Sequence, residues 1–206
     1  MTINKDLENY IQTQILPEYK KNDSGHSFEH IDYVLERCFK FAEQFPNIDC
    51  NILYTIATFH DIAHHIDKAN HEKLSAEIFC DDKKMKEFFT EEERIIIKEA
   101  IEDHRASANS EPRSAYGKII SSADRSTDID DFLRRTHAYT LKHFPICTKE
   151  EALKRAYEHT EQKYGKEGYA KHYVKDEEYE NFREEINLLL QDSDKFEIKY
   201  YKVNNL

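Results

Sequence analysis

Asp49-Cys50-Asn51-Ile52-Leu53-Tyr54-Thr55-Ile56-Ala57-Thr58-Phe59-His60-Asp61-Ile62-Ala63-His64-His65, residues 49–65, decides how the chain is read. Asp49 is a good helix cap. Behind it Ile52, Leu53, Ile56, Ala57 and Phe59 recur with helical period on more than one face, which predicts a central, buried helix. That helix leads into His60 and Asp61. An ionised aspartate is costly to bury unless it is paired or bound to a metal. Adjacent helical side chains diverge by about 100°, yet both can reach one cation beside the helix. A histidine nitrogen with a carboxylate oxygen suits Mn, Fe, Co, Ni or Zn, and the lack of nearby cysteine argues against a structural zinc finger. Alone, the dipeptide carries little. The bland alternative is a buried histidine bonded to backbone beside an aspartate that caps something.

Outward from this stretch, nearly every segment has helical periodicity. Leu7, Tyr10, Ile11, Gln14 and Ile15 begin a stripe expected to stop near Pro17. Ser27 is a candidate cap for a helix carrying Ile31, Val34, Leu35, Cys38, Ala42 and Phe45, ended by Pro46. A helix from Asn70 is expected to run to Phe88, and Thr90 with Glu93 forms a capping box for the next. Ser107–Ser114 reads as a loop, and Ile119, Ile120 and Ala123 as the start of another helix. Thr127–Phe144, Thr148–Tyr164 and Asp176–Gln191 follow as helices, Gly165 and Gly168 bracket a break, and Lys199–Leu206 has no assignable pattern. The expectation is an all-α fold: one helical bundle over residues 1–145, with residues 146–206 as a C-terminal helical extension, packed on the core as part of it or as a small cap.

Composition narrows the function. The 206 residues include 41 acidic and 30 basic side chains, a formal net charge of −11, which disfavours nucleic acid as the main partner. Gly and Pro number 4 each, too few for a turn-rich β fold, and there is no Gly-rich phosphate loop. No apolar run approaches a membrane span of roughly 18 residues, and the N-terminus lacks a signal-like apolar stretch. The 4 cysteines form no CxxC pair. A cytoplasmic protein with no membrane partner is expected. Histidine stands out, with 11 copies.

Four more stretches join the His60-Asp61 pair: Gly25-His26-Ser27-Phe28-Glu29-His30, Asn70-His71-Glu72-Lys73-Leu74-Ser75-Ala76-Glu77, Ile101-Glu102-Asp103-His104-Arg105 and Ile119-Ile120-Ser121-Ser122-Ala123-Asp124-Arg125. The order His … His-Asp … Asp with these apolar flanks, over roughly residues 20–140, resembles the HD-domain metal-dependent phosphohydrolase superfamily. The resemblance implies a single helical HD-domain bundle with His30, His60, Asp61 and Asp124 as metal ligands. His71, in a segment similar to the His-x-x-x-[Gly/Ser]-Ala of dinuclear members, and His104 are implied as ligands of a second metal. Six N/O ligands are many for one catalytic metal and suit two, about 3.5–4 Å apart, bridged by a carboxylate such as Asp61. Each later histidine also has a plainer reading: His71 as a solvent-facing residue of a first helical turn, His104 as an imidazolium favoured at a helix C-terminus.

Asp61 and His64 are the expected catalytic residues. His64, four residues after His60, should share its helix face and suits proton transfer, with an outer-shell or solvent role as the alternative. His26, Arg105, Arg113, Lys118 and Arg125 are candidate substrate contacts, since an acidic protein that handles phosphate needs a local cationic patch. The alternative for these cations is surface pairing with Glu102, Asp103 and Asp128. His137, His143, His159 and His172 read as surface or packing residues. The chain lacks the Glu-Asp pair usual in alarmone hydrolases, the Gly-Tyr-Pro of cyclic-di-GMP phosphodiesterases, and the length of mammalian-type cyclic-nucleotide phosphodiesterases. What remains is a metal-dependent phosphohydrolase acting on a nucleotide or small phosphate ester. It would use one or two divalent ions (Mn, Fe, Co, Ni, Mg or Zn) and a metal-activated water, with homo-oligomerisation left open. The rivals are a nucleotide-sensing metal-binding module without turnover, and a dinuclear-iron oxygenase-like enzyme.

Overall fold

Helix Cys50–Phe59 sits at the centre of its unit, as its apolar girth requires: every residue from Ile52 to Phe59 is buried. The computed structural model describes residues 2–22, 28–108 and 110–206. Among them there is no strand, and the chain is all-α. It divides into two compact units, Met1–Asp124 with His172–Lys175, and Arg125–Lys171 with Asp176–Leu206. The first thus ends at Asp124, where patterning suggested a boundary at 145, and it takes in four residues from far down the chain.

The first unit holds α1 (Lys5–Tyr10), α2 (Phe28–Ala42), α3 (Cys50–Phe59), α4 (His71–Asp81), α5 (Met85–Phe88), α6 (Glu91–Asp103) and α7 (Ala115–Ala123). Helices α2, α4, α6 and α7 pack on α3. Asp49 caps α3 by accepting from the Asn51 and Ile52 amides, Thr90 and Glu93 form the capping box of α6, and Ser114 caps α7. Residues 172–175 belong here for visible reasons. The His172 ring meets Phe41 edge-on at 5.9 Å, the Tyr173 amide donates to Ser122 Oγ at 2.9 Å, and Gln44 exchanges two hydrogen bonds with the Lys175 backbone.

Three expectations change. Pro17 does not stop the first helix. The chain passes through a π turn, Ile11–Ile15, into a 3-10 helix, Leu16–Lys21, with Pro17 in its first turn, where a missing N–H costs nothing. The expected helix from Asn70 to Phe88 is two, because Asp82 turns extended and its carboxylate takes the Lys84 amide. Ser27 lies outside the described residues.

The second unit holds α8 (Ile129–His143), α9 (Lys149–Tyr164), α10 (Glu177–Leu190) and α11 (Ser193–Asn204). Tyr164 sits edge-on to Phe132 and Phe182 at its centre. The unassigned tail is largely helix: Asp192 caps α11, and Phe196 and Tyr200, four apart, bury one side of it. No helix among the described residues is long and apolar enough to cross a membrane.

Candidate metal centre

Three of the six expected ligands stand just past a helix end. His60 is the C-cap of α3, His104 of α6 and Asp124 of α7. His30 comes from the first turn of α2, His71 opens α4, and Asp61 lies in the turn after α3. A helix C-terminus carries the negative end of the peptide dipole, so three of them converging here favour a cation.

Asp61 is 2 % exposed, and its two oxygens face different partners. Oδ2 lies 3.7 Å from His30 Nε2 and 3.4 Å from His60 Nε2. Oδ1 lies 3.2 Å from His71 Nε2 and 3.4 Å from His104 Nε2. Asp124 Oδ1 joins the first group, 3.1 Å from His30 Nε2 and 3.9 Å from His60 Nε2. Two sets that could hold a metal ion result, His30-His60-Asp61-Asp124 and Asp61-His71-His104, sharing one carboxylate.

Nδ1 of His60, His71 and His104 each meets a backbone carbonyl three residues back, at 2.8, 3.1 and 2.6 Å from Ala57, Lys68 and Ile101. A carbonyl needs a donor, so Nδ1 carries the proton and the Nε2 lone pair faces the cluster; such bonds orient metal-binding histidines. His71 Nε2 and His104 Nε2 then face each other at 3.0 Å. Two lone pairs at that distance repel unless a proton or a cation lies between them. With Asp61 Oδ1 they form a nearly equilateral triangle whose centre is about 1.9 Å from each atom, near the 2.0–2.2 Å of Zn–N and Zn–O bonds. His60 Nε2 and Asp61 Oδ1 are buried with no hydrogen bond of good geometry, a state that is costly without a cation. The residues present therefore fit a metal.

The charges agree. Burial alone would lower the His60 pKa, but the Asp61 carboxylate outweighs it and raises it to about 9. Burial would raise Asp61, but the His60 and His104 imidazoles hold it well below the usual carboxylate range. Asp124 is likewise held low, His30 outweighing burial. His71 is pushed down by burial and by the neighbouring His104. Two ionised carboxylates thus face a nest of imidazoles, and without a metal a protonated His60 offsets part of their charge.

His64 reaches this neighbourhood by another route than expected. The α-helix ends at Phe59, and the next residues form i→i+3 turns, so His60 and His64 do not share a helix face. His64 is nonetheless buried, its ring 5.2 Å from that of His71. Arg105 reaches the Ala69 carbonyl and pairs with Glu72 at 3.0 Å, next to His71. Arg113 is held by Asp103 at 2.9 Å and Glu102 at 2.8 Å, and Lys118 by Glu111 at 2.6 Å, so the surface-pairing reading describes both and the structure does not bring them to the cluster. Arg125 opens the second unit, where it is buried and its charge acts on Tyr179. His26 lies outside the described residues.

Residues 27–128, about half of the chain, match the family model of the HD domain. The chain is an HD-domain protein. No curated protein and no solved structure matches it. The HD superfamily comprises metal-dependent phosphohydrolases, and the matched segment contains all six residues of the two sets. Sequence reasoning missed the residues that tie the HD turn. One is Ser75, whose Oγ accepts from the Ala63 amide at 3.2 Å; its place in the His-x-x-x-[Gly/Ser]-Ala segment is the signal that could have found it.

Proposed function

We propose that this HD-domain protein is a metal-dependent phosphohydrolase acting on a nucleotide or small phosphate ester, with two divalent ions held by the His30-His60-Asp61-Asp124 and Asp61-His71-His104 sets. One observation carries the reading: Asp61 directs one carboxylate oxygen into each set. Bound divalent ions supply Lewis acidity there, lowering the pKa of water and offsetting phosphoryl charge.

The chain's own residues do the rest. The site is graded in exposure, with His60 and His104 sealed and the Asp124 side chain 21 % exposed. The substrate phosphoryl enters on the Asp124 and His30 side, where the site is most open. Asp61, with one carboxylate oxygen in each set, fixes the distance between the sets. His64, buried beside His71, transfers the proton to the leaving oxygen. Arg105 exchanges its Glu72 partner for a phosphate oxygen, since a guanidinium binds either anion in the same geometry.

The test is a screen of nucleotides and phosphate esters against chelator-stripped protein, with Mn, Co, Ni, Mg, Zn and Fe supplied separately. Phosphate release that depends on metal and vanishes in Asp61→Asn is the expected result. Metal binding without turnover on any substrate indicates a sensing module. Oxygen uptake with iron and no phosphate release indicates oxidative chemistry.

A further inference from the structure

The turn that carries Asp61 lies beyond the last α-helical residue of α3, so the helix ladder does not fix it. An i→i+3 bond from the His64 amide to the Asp61 carbonyl at 3.0 Å and the Ser75 contact hold it in part, and side chains from outside the matched family segment complete the hold. Tyr19 Oη donates to the Thr58 carbonyl at 3.0 Å and accepts from the Asp61 amide at 3.3 Å. Asn22 Nδ2 donates to the Asp61 carbonyl at 3.0 Å, and its Oδ1 accepts from the His65 amide at 2.9 Å. The N–H and C=O of Asp61 are thus both held by one short segment.

The local geometry explains why one segment can do this. Tyr19 lies in the 3-10 helix Leu16–Lys21 and Asn22 is its C-cap. Side chains three apart eclipse in a 3-10 helix, so the two point the same way. Tyr19 is buried, and its hydroxyl pKa is pushed well above the ordinary value by burial and by the Asp61 charge, so it stays a neutral donor and acceptor.

We infer that Tyr19 and Asn22 are positioning residues that clamp the Asp61 backbone so that each carboxylate oxygen faces its own ligand set. The inference rests on the metal reading of the site. Residues that orient a metal ligand change affinity about 10–100-fold when removed.

The experiment uses the full chain, stripped by chelator and titrated calorimetrically with Mn2+. Co2+ absorption reports the coordination geometry independently. Asn22→Ala and Tyr19→Phe are compared with Tyr10→Phe, which removes a 2.8 Å hydrogen bond to Asp82 from the same N-terminal region without touching the turn. The expected result is Mn2+ affinity lowered 10–100-fold and an altered Co2+ spectrum in the first two, with Tyr10→Phe like wild type. The metal-free melting temperature of Asn22→Ala falls no further than that of Tyr10→Phe. Amide exchange adds a local readout: Asp61 N–H exchanges faster in Tyr19→Phe, and His65 N–H in Asn22→Ala. Should Tyr19→Phe fail to fold, Asn22→Ala alone decides. Wild-type binding matched within twofold by Asn22→Ala refutes the clamp and leaves the metal reading standing. Wild-type protein that takes up neither Mn2+ nor Co2+ refutes the metal reading, and the clamp with it.

Discussion

Replacing Asp61 with asparagine should abolish both metal sites at once, whereas replacing ligands of either set should abolish only one. Asn keeps the volume of Asp61 and removes its charge. Because Oδ2 faces His30 and His60 while Oδ1 faces His71 and His104, the carboxylate is common to both sets. His71 and His104 belong to one set only, as do His30 and Asp124 to the other. An ion that binds only the folded chain at a hundred times its Kd stabilises it by about 2.7 kcal/mol. For a unit of this size each kcal/mol moves the melting temperature by about 3–5 °C. Metal should therefore raise the wild-type melting temperature by roughly 20 °C, and that of His71→Ala/His104→Ala by roughly half as much. Asp61→Asn should show no shift. Metal-free Asp61→Asn should lose little stability, because removing the buried anion also removes its desolvation cost, and His60, freed of its counter-charge, reverts to a neutral imidazole.

The assay is thermal unfolding with and without saturating metal, paired with metal counting by mass spectrometry. Wild type should hold two ions, the double histidine variant one and Asp61→Asn none. A wild-type count near one that the double histidine variant leaves unchanged would reject the second site and keep the first. Asp61→Asn retaining a metal-induced shift as large as wild type would refute the shared carboxylate, and with it the arrangement on which the proposed hydrolysis depends.

Three other outcomes are expected. His159, stacked on Phe132 at 5.8 Å, has its pKa lowered from 6.5 to about 4 by burial, then by Lys163. The unfolded chain therefore takes up a proton that the folded chain refuses. Stability should fall as pH drops from 6.5 towards 4 by about 2–3 kcal/mol, at 1.36 kcal/mol per pH unit discounted for partial exposure, and His159→Phe should flatten this limb; parallel unfolding curves for the two proteins would contradict it. Gly168→Ala should destabilise the second unit by about 1–3 kcal/mol, because a Cβ there meets the Lys163 carbonyl oxygen at 2.6 Å; denaturant unfolding reads it. Thr90→Ala should cost about 1 kcal/mol by loss of the capping box on α6, measured the same way, with metal affinity unchanged.

The ligands and their supports differ in how far the sequence reveals them, for a physical reason. His60, Asp61 and Asp124 follow long apolar runs, so they stand out as polar residues where burial is expected, and burial of a charge demands a partner. The same contrast, together with capping residues such as Asp49, Thr90 and Thr148, made the helices of the bundle readable. α11 escaped because its buried side is only Phe196 and Tyr200 among polar residues, too narrow for a periodic signal. The place of α8 escaped because the change of unit at Asp124 coincides with a ligand, and no break in composition marks it. The spacing of His64 from His60 predicts a shared face only for a helix that continues past Phe59; His64 approaches His71 because the chain tightens into successive turns there.

Tyr19 and Asn22 are the harder case. Their role depends on a change of helix type from π to 3-10 around Pro17, which alters which residues share a side. Read with α-helical period, residues 19 and 22 sit on a polar stretch of no special character. The metal set depends on residue types that chemistry restricts to a few, and so it can be found from sequence. The clamp depends on backbone geometry that many sequences could supply: any short segment able to present a donor and an acceptor to Asp61 would serve. The matched family segment begins at residue 27, so it contains all six ligands and neither clamp residue.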